Sequence, residues 1–156
     1  MHACRFAGAL LWCVCAVALA GCATRGAKQS GGQPMEITEA RLPGLRHNVS
    51  PGRYVFRDSE SWREFWAEVH TTPAPEFDFD TYTLVAVFQG MKPNPGYGVK
   101  IEAATEYPDQ VIVEVVEYLP HPDLFYPQII MYPFSAVLIP KTGKPVAFHV
   151  TEKVGF

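Results

Sequence analysis

Few side chains in this chain are spaced for chemistry. His121 and Asp123, two residues apart, have the types of a general acid and base, but Pro120 and Pro122 flank the histidine and no nucleophile accompanies it. Glu76, Asp78 and Asp80 alternate with Phe77 and Phe79, so three carboxylates share one face of an extended segment. Such a row suits a hard cation only when a curved loop folds the ligands inward. No glycine-bearing turn lies among these acids, so the expectation is that they face water while the two rings pack inward. The remaining histidines beyond the leader, His47, His70 and His149, show no metal-ligand pair at helical spacing. A Gly-x-Ser-x-Gly elbow and a phosphate-binding loop are both absent. The expectation is a protein that is not an enzyme and needs no metal or cofactor.

The cysteines point elsewhere. Cys4, Cys13, Cys15 and Cys22 all lie within the first 22 of 156 residues. Arg5 is followed by an uncharged apolar run from Phe6 to Ala20. That run is shorter than the ~20 residues a spanning helix needs, and it ends in small residues, as a secretory signal does. Leu19-Ala20-Gly21-Cys22 has the form of a lipobox, the signal-peptidase motif of bacterial lipoproteins. The resemblance implies cleavage before Cys22, acylation of Cys22, attachment to a membrane through those acyl chains, and a place in the bacterial cell envelope outside the cytoplasm. Several chains are needed for firm attachment, because each buried methylene contributes only about 0.8 kcal/mol. Residues 1–21 are thus expected to be a signal peptide, leaving a mature chain without a free thiol once Cys22 is lipidated. The full chain carries 13 basic and 16 acidic residues, a net charge of −3, and loss of Arg5 makes it more acidic. Nothing in that balance suits nucleic acid.

Residues 22–34 are small and polar, with Arg25 and Lys28 close to Cys22. They read as a flexible tether. The folded part is then residues 35–156, a single domain. Met35–Ala40 alternates as a half-buried strand, and Arg53–Arg57 follows a Pro51-Gly52 turn. The one helix is expected over Ser61–Val69, with Ser61 and Glu64 as a capping box. Trp62, Phe65, Trp66 and Val69 fall on one face and must dock on a sheet. Further strands are expected at Glu76–Asp80, Tyr82–Phe88, Tyr97–Ala103, Val111–Tyr118, Pro127–Met131, Phe134–Ile139 and Val146–Thr151. Tyr82–Phe88 is nearly all apolar and suits a central position. The links are too short for crossover helices, so pairing should be mainly antiparallel. The expected fold is α+β and β-dominated: a sandwich or a strongly bent sheet of about seven or eight strands, with one short amphipathic helix.

Two loops stand out as binding elements. Gly90–Tyr97 packs two prolines and two glycines into eight residues, and Leu119–Phe125 adds Pro120, His121, Pro122 and exposed-looking apolar side chains. Rigid loops bearing rings lose little entropy on binding. A hairpin of the strands starting at Tyr97 and ending at Tyr118 brings both loops to one end of the sheet. Pro93, Asn94, Gly96, Tyr97, Pro120, His121 and Phe125 are the candidate partner-binding residues, with Tyr97 and Phe125 as ring anchors.

The order of motifs resembles the PrcB-like C-terminal domain family over roughly residues 53–150. It comprises Ser59, Trp62, Phe65 and Trp66, then Asp78-Phe79, then Gly90-x-Lys92-Pro93-x-x-Gly96-Tyr97, then Gln128 and Pro133-Phe134. Pro95 stands where the family has the first of two glycines, and Pro120-His121-Pro122 replaces a glycine-rich second loop. The resemblance implies a non-catalytic bacterial lipoprotein that supports an exported protease complex. Asn94-Pro95-Gly96-Tyr97 is also similar to the inhibitory loop of chagasin-type cysteine protease inhibitors, though two residues shorter and without their other two loops. Protease inhibition and a structural envelope role are the alternatives.

Overall fold

The structure is a computed structural model that describes residues 31–43 and 49–155. The stretch expected to be a signal peptide, Cys22 and the expected tether up to residue 30 lie outside the described residues, as does His47.

Among the described residues eight strands form two four-stranded sheets, so the sandwich is the observed architecture rather than one bent sheet. In chain order they are β1 (Gln33–Met35), β2 (Thr38–Glu39), β3 (Gly52–Phe56), β4 (Tyr82–Phe88), β5 (Gly98–Glu106), β6 (Val111–Leu119), β7 (Phe134–Pro140) and β8 (Val146–Val154), with helix α1 (Ser59–Val69) between β3 and β4. One sheet has the order β1-β5-β6-β8 and the other β2-β7-β4-β3. The alternation expected over Met35–Ala40 is real, but it is divided between the sheets. β1 pairs with β5 and β2 with β7, because the chain crosses from one sheet edge to the other at Glu36 and Ile37. Among the described residues the first strand starts at Gln33, inside the stretch expected to be tether.

Composition accounts for the placement of β4. Leu84, Ala86 and Phe88 face α1, while Val85 and Val87 face the other sheet. With β3 on one side and β7 on the other, this strand is covered all round, which is why it lacks the polar alternation of a one-sided strand. Between the sheets Val111, Val113 and Val115 of β6 meet Ile101 and Ala104 of β5 and Ile139 of β7. All pairings but one are antiparallel. β6 and β8 run parallel, because the connection between them is β7 in the opposite sheet, which does the work of a crossover helix.

Two expected strands are absent. Residues 76–80 make no ladder; Asp78 Oδ1 instead accepts from the backbone N–H groups of Asp80 (3.0 Å) and Thr81 (3.3 Å) in a tight turn. The rings nonetheless point inward and the acids outward, Phe79 being buried and Phe77 packed against the same cluster. The Thr81 hydroxyl, then the backbone donors and Lys141, hold the Asp78 carboxyl below the usual carboxylate range. Residues 127–131 are loop, with Met131 alone in an isolated bridge. Pro127 has no donor for a ladder, and its carbonyl accepts the Ile129 N–H (2.9 Å) in a local turn.

Helix α1 starts two residues before the expected position. Its N-cap is Asp58, whose carboxylate accepts from the Ser61 N–H at 2.8 Å. Ser61 therefore sits inside the first turn, where its hydroxyl donates to the Asp58 carbonyl (3.3 Å). A carboxylate also complements the positive end of the helix dipole, which a serine cap does not. Trp62 and Trp66 are buried, and each indole N–H finds a carbonyl in the segment after the helix: Trp62 Nε1 to Pro75 O (2.8 Å) and Trp66 Nε1 to Thr72 O (2.9 Å).

The Ser61 backbone N–H and then its hydroxyl hold the Asp58 carboxyl below its ordinary value. A depressed folded-state pKa adds stability that is complete above the unfolded value and is lost as pH falls through the folded one. Asp58→Asn is therefore expected to be less stable than wild type at pH 7, with the difference shrinking below about pH 4. Urea unfolding at several pH values measures this, and a difference independent of pH would contradict the ionic cap.

Candidate functional site

β4 ends at Phe88, and the chain must pass from one sheet to the other before β5 begins at Gly98. Gly90 takes a φ of +69°, and a Cβ there would lie 2.7 Å from Pro51 Cγ, so both conformation and space require glycine. Asn94 Oδ1 accepts the Gly96 N–H at 2.9 Å, closing a turn around Pro95. Gly96 is buried, and a Cβ at that position would come within 2.7 Å of Pro120 Cβ and 2.8 Å of the Tyr126 ring. The first loop thus leans on the second at a point where only glycine fits.

The two loops are further joined through their backbones. Lys92 and Met131 exchange both hydrogen bonds, at 2.8 and 2.9 Å, and the Gln89 N–H donates to the Pro133 carbonyl (3.0 Å). Gly98 pairs with Tyr118, which puts the start of β5 beside the end of β6 and both loops at one end of the sandwich. Gln89 is buried, yet its Oε1 has no protein donor among the described residues.

His121 has a structural duty in this loop. Its Nδ1 accepts the Asp123 N–H (3.2 Å), its own N–H donates to the Tyr126 hydroxyl (3.1 Å), and its carbonyl accepts the Leu124 N–H (3.2 Å). An Nδ1 that accepts a backbone proton carries its own proton on Nε2 in the neutral ring. The Asp123 carboxylate lies 3.9 Å from that same Nδ1, on the surface. Together these contacts turn the chain so that residues 124 and 125 form the tip.

The tip is apolar. Phe125 is 93% exposed and Leu124 61%, with Ile130 at 59%, Met91 at 57%, Ile129 at 54% and Met131 at 38%. Among the described residues, the two other exposed large hydrophobic side chains are Tyr82 and Val154, and Val154 pairs with Leu119 at this same end. Single exposed apolar residues need no explanation, but six on two interlocked loops mark a surface. Tyr97 sits further back, half-buried, with the Lys92 ammonium 5.2 Å above its ring.

The seven residues singled out in the sequence therefore share one end of the molecule but differ in placement. Phe125 and Pro93 are exposed, Asn94, Tyr97, Pro120 and His121 are partly covered, and Gly96 is buried and shapes the loop. Met91, Ile129, Ile130 and Met131 belong to the same surface and were not legible as such, since residues 127–131 resemble a strand. The available signal was Ile129-Ile130-Met131, three adjacent apolar residues without alternation, enclosed by Pro127 and Pro133. Elsewhere, a cleft of about 450 Å³ lies at the start of α1, between Arg63, Phe77 and Lys141. Among the described residues no three acidic or histidine side chains are grouped as a metal ion would require.

No curated protein and no solved structure matches this chain. The family model described as PrcB C-terminal matches residues 83–140, which run from β4 through both loops to the end of β7. The helix motif around Trp62 and Trp66 lies before the matched stretch, and β8 lies after it. The central strands and the interlocked loops of this chain are therefore similar to the PrcB C-terminal family.

Proposed function

We propose that the protein is a lipid-anchored, non-catalytic accessory protein of the bacterial cell envelope, which docks through its loop end onto another exported protein, a protease complex being the partner class that the family suggests. The observation that carries this is the set of six exposed apolar side chains on two loops braced by Gly96, Pro120 and Tyr126. Such an arrangement presents apolar area without the entropy cost of ordering a mobile loop.

The route of the chain supports the same reading. β1 pairs Gln33 with Glu106, at the end of β5 opposite to Gly98. A strand of nine residues is roughly 30 Å long. A chain tethered at Cys22 therefore enters the domain at one pole and holds the apolar loops at the other, turned away from the bilayer. Inhibition of the chagasin type is less well supported, because the turn that resembles the inhibitory loop has Gly96 buried and Tyr97 half-covered.

Two measurements test the proposal. Cys22→Ser is expected to move the protein from the membrane fraction to the soluble exported fraction; continued sedimentation with membranes would defeat the lipid anchor. Cross-linking in intact cells followed by affinity capture and mass spectrometry is expected to recover one exported protein in near-stoichiometric amount. Recovery of abundant envelope proteins alone would instead favour a structural role.

A further inference from the structure

Gln89, just past the end of β4, is 6% exposed, and its side-chain Oε1 is buried without a donor among the described residues. An acceptor stranded in this way has lost its water and gained no partner, so native proteins rarely keep one without a use for it. Gln89 lines a cleft of about 260 Å³ at the base of the first loop, together with Pro51, Arg53, Val87, Lys92 and Glu117.

The fold brings these side chains together. Arg53 on edge strand β3 pairs with Val87, whose side chain lies between the two sheets, so Arg53 extends over that same face. Glu117 comes from β6 in the opposite sheet, after the inward-facing Val113 and Val115. Lys92 is held in place by the backbone bridge to Met131. Among the described residues none of Arg53, Lys92 and Glu117 is in an ion pair. Two cations, one carboxylate and one unpaired amide oxygen therefore border the same small space. A simple anion matches the cations, but Glu117 repels it and the amide oxygen stays unpaired. A hydrocarbon matches none of them. A carboxylate with a positively charged nitrogen close by matches all four.

We propose that this cleft binds a free α-amino acid, its carboxylate between Arg53 and Lys92 and its ammonium directed to Glu117 and the Gln89 amide. A guanidinium suits the carboxylate, because its parallel N–H groups hold both oxygens. The last torsion of a glutamine is soft and roughly two-fold, so half a turn exchanges oxygen and nitrogen without moving the stem and presents Oε1 to the ligand. Pro51 and Val87 form the apolar part of the wall. The space is below the ~300–1,000 Å³ of drug-sized ligands, which suits a single amino acid with a small aliphatic side chain. The cleft is at the root of the loop rather than on its apolar tip, so it does not depend on partner docking.

The test is calorimetric titration of the full-length chain with L-valine, paired with the side-chain amide resonances of Gln89. The expected result is saturable binding, with a Kd on the order of 1 mM or tighter, and a shift of the Gln89 amide pair. N-acetyl-L-valine keeps the carboxylate and loses the ammonium, and L-valinamide does the reverse; each is expected to bind about tenfold more weakly or worse. Arg53→Ala, an exposed position on an edge strand, is expected to lose about tenfold in affinity with the fold intact. Gln89→Leu replaces the stranded acceptor by an apolar group of similar shape, so it is expected to weaken binding by a similar factor without lowering the thermal midpoint. Three outcomes would overturn the proposal: no saturable heat and no Gln89 shift up to about 10 mM L-valine, binding of N-acetyl-L-valine or L-valinamide equal to that of L-valine, or undiminished binding by Arg53→Ala or Gln89→Leu. The first is the result expected if Arg53 and Glu117 simply close on each other across the cleft.

Discussion

Trp62→Ala is expected to destabilise the domain by about 3–5 kcal/mol, the range for truncating a large buried aromatic side chain. Trp62 is 1% exposed, and its ring lies 5.1–6.1 Å from those of Phe56, Phe65, Trp66 and Phe77. The neighbours belong to β3, to the helix itself and to the segment after it, so no single shift closes the space left by alanine. The indole also donates to Pro75 O, which fixes the return of the chain from α1 toward β4. Against a total stability of roughly 5–15 kcal/mol for an ordinary domain, such a loss leaves a substantial unfolded fraction at growth temperature. Trp62→Phe keeps most of the apolar contact and loses the hydrogen bond, for which about 1–2 kcal/mol is expected. Chemical unfolding of both variants measures the two terms. A cost below about 1 kcal/mol for Trp62→Ala would mean that α1 is not fastened to the sheet through this residue.

The legibility of this chain follows from the range of the physics involved. α1 was readable because the stripe of Trp62, Phe65, Trp66 and Val69 is local and of helical period, although its start was not. Two caps competed within four residues, and the carboxylate of Asp58 prevailed over Ser61. β4 was readable as central because a strand covered on both faces is apolar throughout. The pairing of β6 with β8 was not, since strand order depends on contacts between segments more than 30 residues apart. Nor was the division of residues 33–39 between two sheets, because a strand and a sheet-to-sheet crossing show the same alternation in so short a stretch. Of the candidate site, the meeting of the two loops followed from a simple hairpin. The contact that locks them, Gly96 against Pro120 and Tyr126, is a matter of tertiary packing and leaves no local pattern.

The loop surface is the place where function and stability are expected to separate most sharply. Replacing Leu124 and Phe125 together by aspartate changes two side chains that are 61% and 93% exposed, so the fold loses little apolar burial. Unfolding free energy is expected to change by no more than about 0.5 kcal/mol, as for other surface substitutions. A docked partner would sense the change differently. Aromatic anchors at the centre of an interface contribute about 2–4 kcal/mol or more each, and a carboxylate forced into an apolar pocket adds a desolvation penalty. A loss of at least 100-fold in affinity is therefore expected for the double variant, about 2.7 kcal/mol. His121→Ala provides the internal control: it releases the Asp123 N–H and loosens the turn that presents residues 124 and 125 while leaving both side chains in place. A smaller loss, about tenfold, is expected from it. Capture of the cross-linked partner with wild type and both variants, each verified as folded by circular dichroism, reads the ranking directly. Undiminished recovery with the double aspartate variant would overturn docking through the loop tip.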